Sequence, residues 1–298
     1  MRPIYLLLSL SVCWCHAHGQ APQSASLWRV ATASLTLPPA LQTGPAGAAW
    51  NPAAAVDETG LSAAVHIVQT SDVVGLSSIL VGVTRSAGQH LDLGFSGGRT
   101  DVRDLVRTSS SPASEGKIPV YTQFLGLAGQ YETSGLVIGA LFRFHNAQFN
   151  FEREHGFTLD FGARYSPSSR LVLAAATHFL PIDLSGQETT DYYAGLEYVV
   201  LPRLSIGGVG AQILASYGVT YIAAERLEHM IGTGLALGSH FRLDASIVRE
   251  TGYVSSAWRP ALAVFVRVGK YQLGMARSNG INDLGATYRV ALDAAILR

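Results

Sequence analysis

Three stretches of this chain alternate apolar and polar residues without a break over a length that would cross a bilayer. Phe157, Leu159, Phe161, Ala163 and Tyr165 alternate with Thr158, Asp160, Gly162 and Arg164. Phe241, Leu243, Ala245 and Ile247 alternate with Arg242, Asp244 and Ser246, and near the end Leu284 to Ile296 repeats the pattern around Asp283, Arg289 and Asp293. Side chains on an extended backbone point to opposite faces in turn, so a period of two marks strands with one apolar and one polar face. Alternation alone leaves open whether the apolar face meets lipid or a protein core.

Composition closes that question. Only 14% of the residues are charged, against 48% hydrophobic, and the lysines are Lys117 and Lys270. A soluble domain of this size covers itself with Lys and Glu, and a disordered chain carries more charge and fewer apolar residues. Most of this surface therefore faces something other than water. Yet beyond the first residues no apolar run approaches the roughly 20 residues that a membrane helix needs. The remaining structure that satisfies every backbone group in lipid is a closed barrel. The fold class is thus all-β, a transmembrane antiparallel barrel, and the expected partner of its surface is outer-membrane lipid. The formal net charge is zero and gives no reason to expect nucleic acid as a partner.

The N-terminus agrees with export. Arg2 precedes an apolar run from Ile4 to Cys15, and Ala17-His18-Gly19 offers small residues at the positions a signal peptidase reads. Residues 1–19 are read as a signal peptide and 59–298 as the barrel, placed in the bacterial outer membrane. Both cysteines, Cys13 and Cys15, fall in the signal, so the mature chain holds no disulfide and no thiolate nucleophile.

Link lengths give the strand count. Short links are expected near Ala87, Ser134, Ser168, Pro202, Ser239 and Gly269. Longer ones are expected near Ser71, from Asp101 to Pro119, from Asn146 to His155, from Asp183 to Thr190, from Ala215 to Glu228, from Glu250 to Ala257 and from Ser278 to Asp283. Long and short alternate, as in an up-and-down barrel with tight periplasmic turns and larger external loops. These links separate about 14 strands at ~17 residues per strand and link. The stretch from Gly218 to Glu228 reads as an extra hairpin or as part of an external loop. Tyr121, Tyr131, Tyr165, Tyr198, Tyr271 and Trp258 stand near strand ends, where an aromatic belt or ordinary strand aromatics would both be at home.

Residues 20–58 lack alternation and are rich in Ala, Pro, Thr and Ser. Within them Gly44-Pro45-Ala46-Gly47-Ala48-Ala49-Trp50-Asn51-Pro52-Ala53 is the most distinctive motif of the chain. Asn51 is held extended by the proline after it and can cap a short helix with Pro52 at its first position and Ala53 to Val56 as its body. The plain alternative is a capped turn with no further role. Taken together, the signal, the small-residue segment, Trp50-Asn51-Pro52-Ala53 and some fourteen alternating strands resemble the FadL-like barrels, within them the PorV/PorQ type. The resemblance implies that the N-terminal segment is a lumenal plug, with Gly47, Trp50, Asn51, Pro52 and Ala53 as its motif. It also implies one of two roles: admission of small hydrophobic or amphipathic compounds, or service as a structural or shuttle barrel among the proteins of a type IX secretion system.

Chemistry is not written into the sequence. There is no Gly-x-Ser-x-Gly elbow, no His-Glu-x-x-His and no phosphate-cradling glycine loop, so no enzyme and no cofactor is expected. His66, His145 and His178 fall on the polar phase but share no ligand spacing, and no metal site is expected. The polar phase also carries Arg143, Asp160, Arg164, Glu197, Arg242, Asp244, Arg267, Arg289 and Asp293, which together with His178 are the candidate lumen-facing groups. Balanced charge in a confined space reads as neutralising networks that hold a plug, or as a polar path or ligand site. Small residues on the same phase, Gly139, Gly162, Ala174, Ala176 and Gly195, leave room for a backbone to approach. The expected outward set is Leu159, Phe161, Leu243, Ile247, Tyr288 and Val290. Trp50 is expected to pack on small inward residues.

Overall fold

The computed structural model describes residues 34–54, 60–72, 74–107, 116–181, 190–222, 226–251, 256–279 and 285–297. The first half of the strands is β1 Leu61–Gln69, β2 Leu76–Ser86, β3 Leu91–Val102, β4 Val120–Thr133, β5 Leu136–Phe149, β6 Glu152–Ser168 and β7 Leu171–Pro181. The second half is β8 Asp191–Ile206, β9 Val209–Ile222, β10 Arg226–Leu237, β11 Phe241–Thr251, β12 Ser256–Val268, β13 Tyr271–Asn279 and β14 Ala286–Leu297. Each pairs antiparallel with its neighbours in sequence, and β14 pairs with β1 from Leu61↔Leu297 to Gln69↔Tyr288, so the sheet closes on itself as a 14-stranded barrel. Closure leaves no strand edge unpaired, which is what lets a sheet sit in lipid.

The two faces follow the sequence period. Phe161, Ile247, Tyr288 and Val290 are exposed and Leu159 and Leu243 half-exposed, whereas Asp160, Asp244 and Arg289 between them are buried and Arg164, Arg242 and Asp293 half-buried. The outer wall is apolar around the whole barrel, with residues such as Leu127 at 66% exposure, and a surface of that kind is stable only against hydrocarbon. Aromatic residues rim it at both ends. Tyr131, Tyr165, Tyr198 and Tyr271 are exposed at the end where β1 begins and β14 finishes, and Tyr192, Tyr221, Trp258 and Tyr288 at the opposite end. A closed, even-stranded barrel with an apolar wall between two aromatic girdles is an outer-membrane architecture, and the chain is placed there. By the usual asymmetry of such barrels the end with short turns faces the periplasm.

Three expected links differ from what the chain does. Asn146–His155 is not a loop: β5 and β6 continue through it and turn at Asn150-Phe151, with Asn150 in the left-handed region at φ 57°. Nor do residues 215–222 and 226–228 form a loop or an extra hairpin, since β9 and β10 remain paired up to Ile222↔Arg226; residues 223–225 lie outside the described residues. In both places polar residues occupy strand positions above the apolar band, where a strand no longer needs an apolar face. Pro202 lies inside β8 rather than in a turn; the pairing with β9 shifts between Val199 and Leu201 and again between Leu201 and Leu204, and the turn comes at Gly207-Gly208. A proline without an N–H is tolerated in a sheet at such an irregularity. The expected signal peptide and the links at 183–189, 252–255 and 280–283 lie outside the described residues.

Candidate functional site

A barrel of this width has a lumen that small side chains cannot fill. The described residues 34–54 run through it. Leu35, Ala46, Ala49 and Trp50 share one buried cluster with Ala64 of β1, Leu80 of β2, Phe124 of β4 and Phe179 of β7, and Ala40 and Leu41 share another with Ala174, Ala176 and Tyr193. Partners drawn from strands around the wall place the segment inside it. Two one-turn helices, Pro39–Leu41 and Gly47–Ala49, fold it compactly.

Glycines on five strands receive the segment's backbone and small side chains. A Cβ at Gly82 would collide with the Pro45 carbonyl, at Gly139 with the Pro52 carbonyl, at Gly162 with the Asn51 side-chain oxygen and at Gly218 with Pro38, while at Gly195 it would stand 2.9 Å from Leu41 Cγ. Contact this close admits no other residue type without movement of the segment.

Asn51 organises the middle of the segment. Its Nδ2 donates to the Ala40 carbonyl at 2.6 Å, and its Oδ1 accepts from Ala53 N at 2.9 Å. Ala54 N donates to the Asn51 carbonyl at 2.8 Å, so Asn51 through Ala54 form a turn and not the start of a helix as far as they are described; Val56 lies outside the described residues. Gly47, Trp50, Asn51, Pro52 and Ala53 are all buried. Trp50 shares its buried cluster with one small inward wall residue, Ala64 of β1, and with larger ones. Its ring also stacks on His178 at 6.2 Å between centroids, beside Phe124 and Phe179 of the same cluster, while Gly139 and Gly162 receive Pro52 and Asn51.

Under the Ala49 carbonyl lies a fully buried ionic group. Arg143 Nη2 of β5 is 2.5 Å from Asp160 Oδ2 of β6 and donates to Ala49 O at 3.2 Å. His178 Nε2 of β7 is 2.5 Å from Ala49 O, 3.1 Å from Arg143 Nη2 and 3.4 Å from Asp160 Oδ2. The group depends on a bulge between β6 and β7: Leu159 pairs with Leu180 and Phe161 with Thr177, so Asp160 alone opposes both His178 and Phe179. An extra residue of this kind re-aims side chains, and here it turns two consecutive ones inward. Phe179 takes φ 59°, and its N–H donates to Asp160 Oδ1 at 2.8 Å in place of the interrupted ladder. A left-handed phenylalanine costs on the order of 1–3 kcal/mol and persists only where its surroundings hold it. Arg143 Nε and Nη1 have no hydrogen-bond partner, but the guanidinium lies 4.2 Å over the Phe124 ring and 5.4 Å from that of Phe179. Aromatic faces offer a desolvated cation a partial substitute for water. His145 makes its own bond to Thr158 Oγ1 at 2.5 Å.

The other inward groups lie apart from this one. Arg164 Nη1 donates to the Leu41 carbonyl at 3.3 Å, a second tie to the segment. Arg242 holds Asp244 through Nε at 2.8 and 3.0 Å and Glu197 through Nη2 at 3.1 Å. His66 is 3.5 Å from Asp293, and both join Arg242, Asp244 and Arg289 around a cavity of about 100 Å³ beside Thr36 and Gln42. Arg267 bonds Gln272 at 3.2 Å near the end where β1 begins and β14 finishes. All ten candidate lumen residues therefore point inward, but they form separate networks rather than one site. Phe179 and the Ala49 carbonyl escaped sequence reading, because a bulge breaks the period that assigns faces and a carbonyl leaves no mark in composition. Among the described residues no group of three or more His, Cys, Asp or Glu is placed to hold a metal.

No known protein family and no curated protein matches the chain. Among solved structures it is similar to the Acinetobacter baumannii outer membrane protein Omp33, with a TM-score of 0.48 and 10% identity over 80% of this chain and 99% of that one. It is also similar to a mutant Rh. blastica porin, with a TM-score of 0.43 and 9% identity over 79% and 99% of the two chains. A. baumannii CdiB gives 0.44 and 11% over 80% of this chain and 60% of its own. The barrel assignment rests on the geometry above.

Proposed function

We propose that the chain is a gated outer-membrane channel of the FadL-like kind, in which the segment through residues 34–54 is the plug and its displacement admits small amphipathic compounds. The observation that carries this reading is the way the segment is held. It seats on glycines of β2, β5, β6, β8 and β9 and is tied by Arg143, Arg164 and His178 to its own carbonyls, with no strand pairing to the wall. A segment fixed by side-chain bonds and close packing can leave without opening the barrel. One built into the sheet could not. The apolar cluster around Trp50 and the polar cavity beside Arg242 offer an amphipathic solute both kinds of surface. The sequence likeness at Trp50-Asn51-Pro52-Ala53 belongs to the same proposal.

The test is conductance and uptake. Deletion of residues 20–49 combined with Asn51→Ala is expected to raise single-channel conductance in planar bilayers, and to speed entry of a medium-chain fatty acid into liposomes relative to the intact protein. If the deleted form assembles as a barrel and both readings stay unchanged, the segment is no plug. The scaffold role implied by the PorV/PorQ resemblance then becomes the better reading.

A further inference from the structure

The outer wall is not uniformly convex. Across β10 to β14 it is scooped into a groove of about 770 Å³, because Thr233, Ala245 and Pro260 put little side chain on the outward face between the taller Ile231, Ile247, Leu262, Met275 and Tyr288. Cross-strand pairing fixes the arrangement: Thr233 opposes Ala245, Ile247 opposes Pro260, and Arg277 opposes Tyr288. Arg277 and Asn279 of β13 line the groove, Arg277 in the cross-strand row of Thr233, Ala245, Leu262 and Tyr288. Two residues further along β11 from Ile247 stands Arg249, opposite exposed Trp258.

Both arginines face outward and are exposed. Among the described residues neither forms an ion pair, and the Arg277 guanidinium lies 6.0 Å from the Tyr288 ring. Among the described residues of β9 to β14, no outward position carries a carboxylate. Arg277 thus lines the apolar trough, and Arg249 stands just beyond its Ile247 edge beside the girdle residue Trp258, both without a carboxylate partner among the described residues. Guanidinium pairs with phosphate in a bidentate manner and is the favoured partner of phosphate-bearing groups.

A second groove supplies the contrast. On β2 to β5, Ile79, Val81, Leu125 and Phe144 surround a hollow of about 300 Å³ over Gly97, again with an arginine, Arg99, at its rim. There the charge is spent: Arg99 binds Asp101 at 2.6 and 2.9 Å and Gln123 at 3.0 Å. The same shape with a neutralised head selects apolar chains but no charge.

We propose that the groove on β10 to β14 is a binding site for an acyl lipid with an anionic phosphate headgroup, its chain lying over Ala245 and Pro260, its phosphate held by Arg277, and Arg249 adding positive charge beyond Ile247.

The test uses the full-length barrel purified in neutral detergent, with bound lipid counted by native mass spectrometry during titration with phosphatidylglycerol or phosphatidylcholine. The intact protein is expected to retain phosphatidylglycerol at least about tenfold better, a difference of roughly 1.4 kcal/mol. Arg249→Gln with Arg277→Gln removes that preference, Ala245→Phe lowers retention of both lipids by filling the trough, and Arg99→Gln changes neither. Heat-modifiable gel mobility verifies that each variant is a folded barrel. Equal retention of the two lipids by the intact protein, or an unchanged preference in the double variant, overturns the proposal. So does glycerol phosphate without acyl chains displacing the lipid at equal concentration, because the trough would then contribute nothing. Lumenal conductance plays no part in any of these readings, so the outcome is independent of the channel hypothesis.

Discussion

The Asn51 side chain occupies the space a Cβ would take at Gly162, so this residue and one wall glycine exclude any larger side chain at that point. Gly162 pairs with Gly139 on one side and Ala176 on the other in undisturbed register, and its φ is not left-handed, so the strand itself makes no demand for glycine. Gly162→Val should therefore keep the barrel and expel the segment. Overpacking of this kind costs about 1–3 kcal/mol. The expected result is an assembled barrel with a lowered denaturation midpoint and new resolved conductance steps. A valine variant as closed as the parent would mean that the segment yields at this point without leaving.

Asn51 matters for its bonds as well as its shape. Asn51→Ala leaves the Ala40 carbonyl and the Ala53 N–H buried without partners, a loss of about 1–3 kcal/mol. Asn51→Asp keeps the acceptor for Ala53 but offers the Ala40 carbonyl no donor, and is expected to be no better than alanine. Chemical denaturation of the three proteins in one detergent measures the order. Full recovery by aspartate would show that the Ala40 bond contributes nothing.

The barrel was legible because lipid and lumen impose opposite polarity on alternate residues, and each strand therefore repeats the same signal. Phe157 to Tyr165 reads correctly from end to end for that reason. Where the strands rise above the apolar band the constraint lapses, and Asn146–His155 and residues 215–222 and 226–228 look like loops although they are paired. Alternation also fails at a bulge. It puts His178 inward but assigns Phe179 to lipid, and only the offset between β6 and β7 brings Phe179 beside Arg143. The glycine cradle could be read in part, through Gly139, Gly162 and Gly195, because a run of small inward residues implies that something else fills the lumen. Which carbonyl Arg143 and His178 would hold depends on the path of the segment, and no local pattern encodes it.

Asp160 is the anion of a fully buried group. Asp160→Asn preserves an oxygen for Phe179 N but removes the charge opposite Arg143, which is itself fully buried. Breaking a buried pair by removing one partner costs roughly 3–5 kcal/mol, while replacing both partners with apolar residues of similar volume is often near neutral. Asp160→Asn should thus be far more damaging than Asp160→Asn combined with Arg143→Met. A double-mutant cycle on the denaturation midpoints tests this. Strict additivity of the two changes would mean the ion pair is not coupled in the folded barrel.

The outward wall makes the last prediction, and it concerns depth. Leu127, in the middle of β4, is 66% exposed on the barrel's outer face, and Tyr131 four residues on stands at the aromatic rim of the same face. If that face meets hydrocarbon, an arginine at each position samples two depths of the same bilayer. Leu127→Arg is expected to cost about 2–4 kcal/mol, and Tyr131→Arg only about 0–1 kcal/mol because its long side chain reaches the headgroups. Refolding into lipid vesicles with a titration of denaturant measures both. In water neither exposed site would penalise a charge, and in a protein core both would. Equal costs at the two positions would therefore contradict the membrane placement of the wall, whereas a graded cost follows only from a slab of hydrocarbon whose centre lies near Leu127.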